Sequence, residues 1–370
     1  MIRLTSESLI KAVKAIDLVP TRSGIVPSEF IQLEKKKDRL YLSLAAEVFG
    51  RTFAKAEEQD GDEWMFHVDR TALVPWVLAA ETFGSTKPFE FNVIDKKGSK
   101  VLLLKSGRRR VIFNSITFIS GYPEYRAADS ITVSLDPRQK LLLQLAAKYA
   151  SPDPTLAYLN CAYMSKHKAI LASNRISLFY GKNSDIPITV PLPLHLLGLL
   201  GAENIKTIEI AKKVVKLTLD CGYICQAINA TAKTEFPVEQ SLKQFKIGEK
   251  YPVQFKIKAK PFLEAVARLK AYVSGSTQRE MFMYAQGIKN ETKIKLYSST
   301  PQGIFTEYVN AINPSKTDFT CEWKLDYLAF LEEHSETLRM LEVRFSDKEK
   351  SPYHINSPTE DISLMLSRRV

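Results

Sequence analysis

Cysteine is scarce in this chain of 370 residues, and the four present (Cys161, Cys221, Cys225 and Cys321) form neither a CxxC pair nor a set with histidine at zinc spacing. A disulfide framework and a structural zinc site are therefore not expected, and the thiols are read as reduced and structural. Histidine is equally sparse. His67, His167, His195, His334 and His354 are scattered, with no HExxH or HxH arrangement, so no metal centre and no metal cofactor are expected. No run approaches the ~20 apolar residues that span a bilayer, and the first residues lack the apolar core of a secretory signal. Gly/Ser and Pro tracts long enough for a disordered arm are missing, as are nucleotide-binding fingerprints. What remains is a cytoplasmic protein, folded throughout, without a membrane partner.

What the chain has in excess is positive charge. Its formal net charge is +11 at pH 7, with 45% hydrophobic and 25% charged residues. Globular composition with that imbalance suits a polyanionic partner, because neutralised phosphates release counterions and give affinity without sequence reading. At this length one ordinary core is exceeded, and two or three domains are expected.

Internal repetition favours three domains. A helix begins near Glu7, Pro137 and Pro261, and a second helix near Arg70, Leu192 and Leu325. Each copy closes with an alternating hairpin: Val101–Leu104 with Arg110–Phe113, Val214–Leu219 with Tyr223–Ala227, and Leu341–Phe345 with Tyr353–Ile355. The boundaries read as 1–128, 129–248 and 249–370, in an α+β fold with two helices per copy packed on antiparallel sheets. In the first helices, Leu9, Val13 and Ile16 face inward opposite Lys11 and Lys14. Leu141, Leu142 and Leu145 lie beside Lys140, Gln144 and Lys148, after an Asp136 N-cap and Pro137. Leu263, Val266 and Leu269 accompany Arg268 and Lys270, with Lys258 and Lys260 just before. Lysine on an exposed helix face also serves solubility alone, but here it recurs at one place in three copies. The second helices are apolar almost all round and read as core; Pro75 should kink or shorten the first of them, and Gly198 and Gly201 weaken or end the second. For Arg108-Arg109-Arg110, in a hairpin turn, contact with phosphate and simple hydration both stay open.

Several motifs resemble the bacterial type of DNA polymerase sliding clamp, the beta subunit that acts as processivity factor. Leu104–Arg110 followed by Gly121-Tyr122-Pro123 is similar to the family's first-domain ending, and Phe236-Pro237 ends the second copy in the same way. Tyr158-Leu159-Asn160 with Leu171-Ala172-Ser173-Asn174 resembles a pair of family strands, and Ile362–Val370 resembles its apolar C-terminal tail. The resemblance runs over the whole chain. It implies a head-to-tail homodimer forming a six-domain ring around double-stranded DNA, tethering the polymerase without chemistry of its own. By the same resemblance, Lys11, Lys14, Arg22, Lys140, Lys148, Arg268 and Lys270 would face DNA. Polymerase and clamp loader would dock short peptides against Leu159, Ser173, Arg175, Leu178, Pro237, Leu242, Met281, Tyr327, Leu364, Leu366, Arg369 and Val370. Ring closure would use Val111 and Phe113 of one subunit with Tyr272 and Val273 of the other.

Departures from the family fall in the peptide groove. Where the family has Asp-Gly-His-Arg-Leu, this chain has Asn174-Arg175-Ile176-Ser177-Leu178, and the tail carries Ser367 and Arg368 in place of the usual Pro and Met. A changed peptide preference is expected, toward acidic motifs. Two other readings compete: a monomeric clamp-like protein that binds nucleic acid or sequesters a replication partner, and an enzyme acting on nucleic acid. The acidic pairs Glu57-Glu58, Asp62-Glu63 and Glu332-Glu333 lack an accompanying His or Lys constellation, which argues against the enzyme.

Overall fold

The computed structural model describes residues 1–370 except 20–28, 46–47, 97–98, 115–129, 154, 157, 184–185, 187–188, 202–204, 212–213, 228–235, 275–281, 302, 316, 326–327, 329–337, 347–350 and 368–370. It is an α+β fold divided into two compact units, Met1–Asp136 with Gly198–Ala230, and Pro137–Leu197 with Thr231–Val370. The middle third of the chain is thus shared between them.

In the first unit, α1 (Ser6–Asp17) starts where Thr5 accepts a hydrogen bond from the Ser8 amide, and it buries Leu9, Ala12, Val13 and Ile16. That spacing of three and four residues is the inward stripe of an amphipathic helix. The stripe lies on the strand Val48–Gln59, where the Thr52 hydroxyl donates to the Ala12 carbonyl at 3.1 Å. Gly50 permits the close approach, since a Cβ there would come within 2.5 Å of Val19 Cγ2. The helix α2 (Arg70–Thr82) is capped by Asp69, and it continues through Pro75. The expected shortening is not seen: proline in the second turn removes one N–H, and Pro75 is exposed while Leu73, Val74 and Val77 hold the helix in the core.

The sheet of this unit has twelve strands. Its main path runs Arg109–Asn114, Ser99–Ser106, Phe89–Lys96, Ile2–Leu4, Val48–Gln59, Gly222–Ala227, Val214–Leu219, Ile205–Ala211 and Ile131–Ser134. Three more strands, Arg39–Ala45, Phe30–Lys36 and Trp64–Asp69, extend from Val48–Gln59. Antiparallel pairing of Tyr223 with Arg51 and Cys225 with Phe49 joins Val48–Gln59 to Gly222–Ala227 across this unit's two chain segments.

In the second unit, α3 (Pro137–Tyr149) packs on the strands Ala169–Ser173 and Ser177–Lys182. Here too a strand glycine admits the helix, for a Cβ at Gly181 would lie 2.8 Å from Leu142 Cδ2. The short α4 (Leu194–Leu197) passes into a tight turn at Gly198–Gly201, as the two glycines suggested. Its sheet orders Val190–Pro193, Cys161–Ser165, Ala169–Ser173, Ser177–Lys182, Ile362–Leu366, Tyr353–Ser357, Met340–Arg344 and Val253–Lys258. The tail strand Ile362–Leu366 therefore closes against the second copy, Met365 opposite Leu178. Between them in sequence lie α5 (Val238–Gly248) and α6 (Ala259–Ser274), the latter packed on a four-stranded sheet ordered Gly303–Asn310, Lys293–Thr300, Phe282–Gly287 and Phe319–Lys324. Most of the third copy's second helix, from Leu325, lies outside the described residues.

Among the described residues, no helix is long and apolar enough to cross a membrane, and no group of His, Cys, Asp and Glu could hold a metal ion. The four cysteines are thiols, and burial pushes those of Cys161 and Cys225 up to about 12.

Candidate functional site

The seven cations expected to meet DNA fall into unlike groups. Lys11 and Lys14 stand on the outer side of α1, but Lys11 is 3.0 Å from Asp220 and Lys14 is 2.5 Å from Glu81. Asp17 on the same helix pairs with Arg70. Two cations and two carboxylates leave α1 without net charge. The exposed Arg268 of α6 lies 2.7 Å from Glu307, whose hydrogen bond keeps the guanidinium protonated. In α3 three cations, Arg138, Lys140 and Lys148, are matched by no carboxylate within the helix. Arg138, absent from the expected set, reaches Asp361 at 3.5 Å, whereas Lys140 and Lys148 have no ion pair among the described residues. Lys270 is half-buried on α6, and Arg22 lies outside the described residues. The second copy's helix thus carries the least compensated charge. Such exposed ion pairs are each worth at most about 1 kcal/mol, so a polyanion could displace them.

The arginine run divides as well. Arg109 rests on the Trp76 ring at 4.5 Å and donates to the Trp76 carbonyl at 2.8 Å, so it fastens the hairpin to α2, while Arg108 and Arg110 stay exposed.

Of the expected peptide-groove residues, Leu159, Leu178 and Leu242 come together in one apolar cluster with Tyr163, Phe236, Phe245 and Met365. Tyr163 stacks on Phe236 with ring centres 4.5 Å apart and donates its hydroxyl hydrogen to the Tyr158 carbonyl. Pro237 is exposed at the start of α5 beside the half-buried Leu242. Leu364 and Leu366 are buried and secure the tail strand. Met281, Tyr327, Arg369 and Val370 lie outside the described residues.

Ser173 and Arg175 shape the turn beside this cluster. The Asn174 side chain accepts from the Ile176 and Ser177 amides, and Ser173 Oγ accepts from the Arg175 amide. Arg175 itself has φ +77°, a left-handed conformation that glycine adopts without penalty. The backbone at this position thus has a geometry suited to glycine. Replacing Arg175 with Gly is expected to stabilise the chain by about 0.5–1 kcal/mol, the steric relief exceeding the added unfolded-state entropy. Urea unfolding measures it, and a destabilised Arg175→Gly would show that the arginine side chain makes an offsetting contact. Arg175 also contributes, after the stronger hydrogen bonds from Thr155, to holding the Asp153 carboxyl below its ordinary range.

The residues expected at ring closure are placed differently from one another. Phe113 and Val273 are buried within their own units, Val111 is half-buried, and Tyr272 lies against Phe305 with ring centres 5.0 Å apart. Sequence reasoning missed exposed apolar residues on Arg109–Asn114, which carries Val111 and Phe113, and on Gly303–Asn310, against which α6 with Tyr272 and Val273 packs. Among the described residues the two strands each end a sheet, and they expose Ile112 (42%), and Ile304 (67%) with Tyr308 (64%). Period-two alternation puts these side chains opposite the buried Phe113 and Val309, and an apolar edge strand is a template for pairing. The signal was the alternation itself, which marks Ile112 as outward as soon as Phe113 is inward.

No family model matches the sequence, and no curated relative does. Solved structures do match over the full length. The DNA polymerase sliding clamp from Bacillus subtilis aligns with a TM-score of 0.78 at 16% identity, covering 100% of this chain and 98% of that one. The sliding clamp from Caulobacter crescentus gives 0.77 at 15%, with 100% and 99% covered. The DNA polymerase III beta subunit from Thermotoga maritima gives 0.75 at 16%, with 100% and 99% covered. The chain has the fold of these clamps.

Proposed function

We propose that this chain is a replication clamp: two copies close head to tail into a ring around duplex DNA and tether a DNA polymerase. The observation that carries the reading is the likeness to polymerase clamps, which spans 100% of this chain. The three copies, 1–128, 129–248 and 249–370, would each supply one helix with cations on its exposed side, namely α1, α3 and α6. Contacts of this kind hold phosphate without reading bases, so the ring slides while its closure prevents escape. Polymerase and loader would insert apolar peptide anchors beside Leu159, Leu178 and Leu242. No chemical step is needed: tethering raises the polymerase's effective concentration at the primer end.

The test compares sedimentation of the protein with its retention, after loading, on nicked circular and linearised duplexes at raised salt. A dimer held on circles and lost from linear DNA is expected. A monomer whose binding ignores DNA ends would overturn the ring and leave the reading of a clamp-like protein that binds nucleic acid or sequesters a replication partner.

A further inference from the structure

A basic concavity in the first unit lies away from α1 and α2. On the sheet face opposite α1, the strands Phe30–Lys36, Arg39–Ala45, Val48–Gln59, Gly222–Ala227 and Val214–Leu219 frame a groove of about 540 Å³. Four cations line it, Lys36, Arg39, Arg51 and Lys216, and no carboxylate does. Strand register explains their convergence: Tyr41 faces Phe53, Arg51 faces Tyr223, and Thr218 faces Tyr223, so alternate residues of separate segments share one face.

The rings are already engaged by the cations. Arg39 lies 4.4 Å over Phe53, Arg51 4.6 Å over Tyr41, and Lys216 5.2 Å over Tyr223. Carboxylates around the groove take part of the charge, with Glu34 2.7 Å from Lys36 and 2.9 Å from Arg51, and Glu209 2.9 Å from Lys216, while Asp38 is only loosely paired with Arg39 at 3.9 Å. Four lining cations against these three carboxylates leave the groove positive by one charge.

We propose that this groove binds an acidic linear segment of a partner protein, its carboxylates on Arg39, Lys36 and Lys216 and an apolar side chain against the rims of Tyr41 and Phe53. A guanidinium resting on an aromatic face keeps its N–H groups at the periphery, where they meet carboxylates in fork geometry. Single-stranded nucleic acid fits less well, because base stacking needs the ring faces that the cations cover. The volume suits a few residues rather than a folded domain. The site belongs to the first unit alone and does not depend on the chain encircling DNA.

Fluorescence anisotropy with a fluorescein-labelled peptide rich in Asp and Glu around a central Leu-Phe pair tests this. Wild type is compared with the double variant Lys36→Ala and Arg39→Ala, whose side chains are 45% and 43% exposed and so leave the fold intact, and with Lys246→Ala on α5. Binding at least tenfold weaker in the double variant, unchanged in Lys246→Ala, absent for the Asn/Gln form of the peptide and not displaced by oligothymidylate is expected. Equal binding by the double variant would overturn the assignment. Tighter binding of oligothymidylate, lost in the same variant, would overturn it in favour of nucleic acid.

Discussion

Placing aspartate at both Ile304 and Tyr308 is expected to leave the protomer folded and to abolish the proposed dimer. Both side chains are about two-thirds exposed at the end of their sheet, so the protomer loses little. Burying an apolar side chain of this size is worth about 1.5–3 kcal/mol. A carboxylate facing a closed apolar contact adds its own desolvation. The interface should lose at least about 3 kcal/mol, roughly a hundredfold in Kd, and a two-subunit ring would suffer that loss twice because it uses the contact twice. Sedimentation equilibrium over a concentration series measures it. An unchanged dimer would remove Gly303–Asn310 from ring closure. These positions are better probes than Val273, which is 1% exposed: a charge there would unfold the protomer before reporting on assembly.

The second large effect is acid sensitivity from His354. Its side chain is fully buried between Gly248 and the Phe245 ring. Burial first, and then the nearby Arg344 charge, lower its pKa to about 4, against the smaller opposing influence of Glu342. Above about pH 7.5 the imidazole is neutral in the folded and unfolded chain alike, and it contributes no pH dependence. Below that, the unfolded chain takes up a proton that the folded one refuses, so stability falls until the folded pKa is reached. Between pH 6.5 and 4.5 the expected loss is about 2 kcal/mol. Glu342 is held below its ordinary range, because its hydrogen bonds from Lys256 and Arg344 outweigh the upward push of burial. Urea unfolding of wild type and His354→Leu across that range gives the answer. A substituted protein with an undiminished slope would place the proton uptake elsewhere.

His354 also illustrates how local pattern and tertiary context divide the work. Its strand was legible, since the hairpin expected at Leu341–Phe345 and Tyr353–Ile355 is observed as Met340–Arg344 and Tyr353–Ser357. Its burial beneath α5 was not, for that contact joins segments about a hundred residues apart. The same holds for α1, expected near Glu7 and observed from Ser6, and for α3, observed from Pro137 as expected. Their outward lysines were legible from helical spacing. The carboxylates that answer Lys11 and Lys14 were not, because Asp220 and Glu81 lie 209 and 67 residues away.

The sequence by itself determined where α1, α2, α3, α4 and α6 begin to within a few residues, the closing hairpins, the inward and outward faces, the basic balance and the resemblance that points to a clamp. Each follows from residue type and short-range periodicity, which act within a few turns of chain. Only the tertiary structure decided which cations keep an uncompensated charge, that Arg109 serves Trp76, that Arg175 takes a left-handed conformation, and that residues 36–53 and 216–223 share one basic, aromatic groove. Those outcomes depend on which strand edges meet and in what register, and pairing between distant segments leaves no mark in either segment alone.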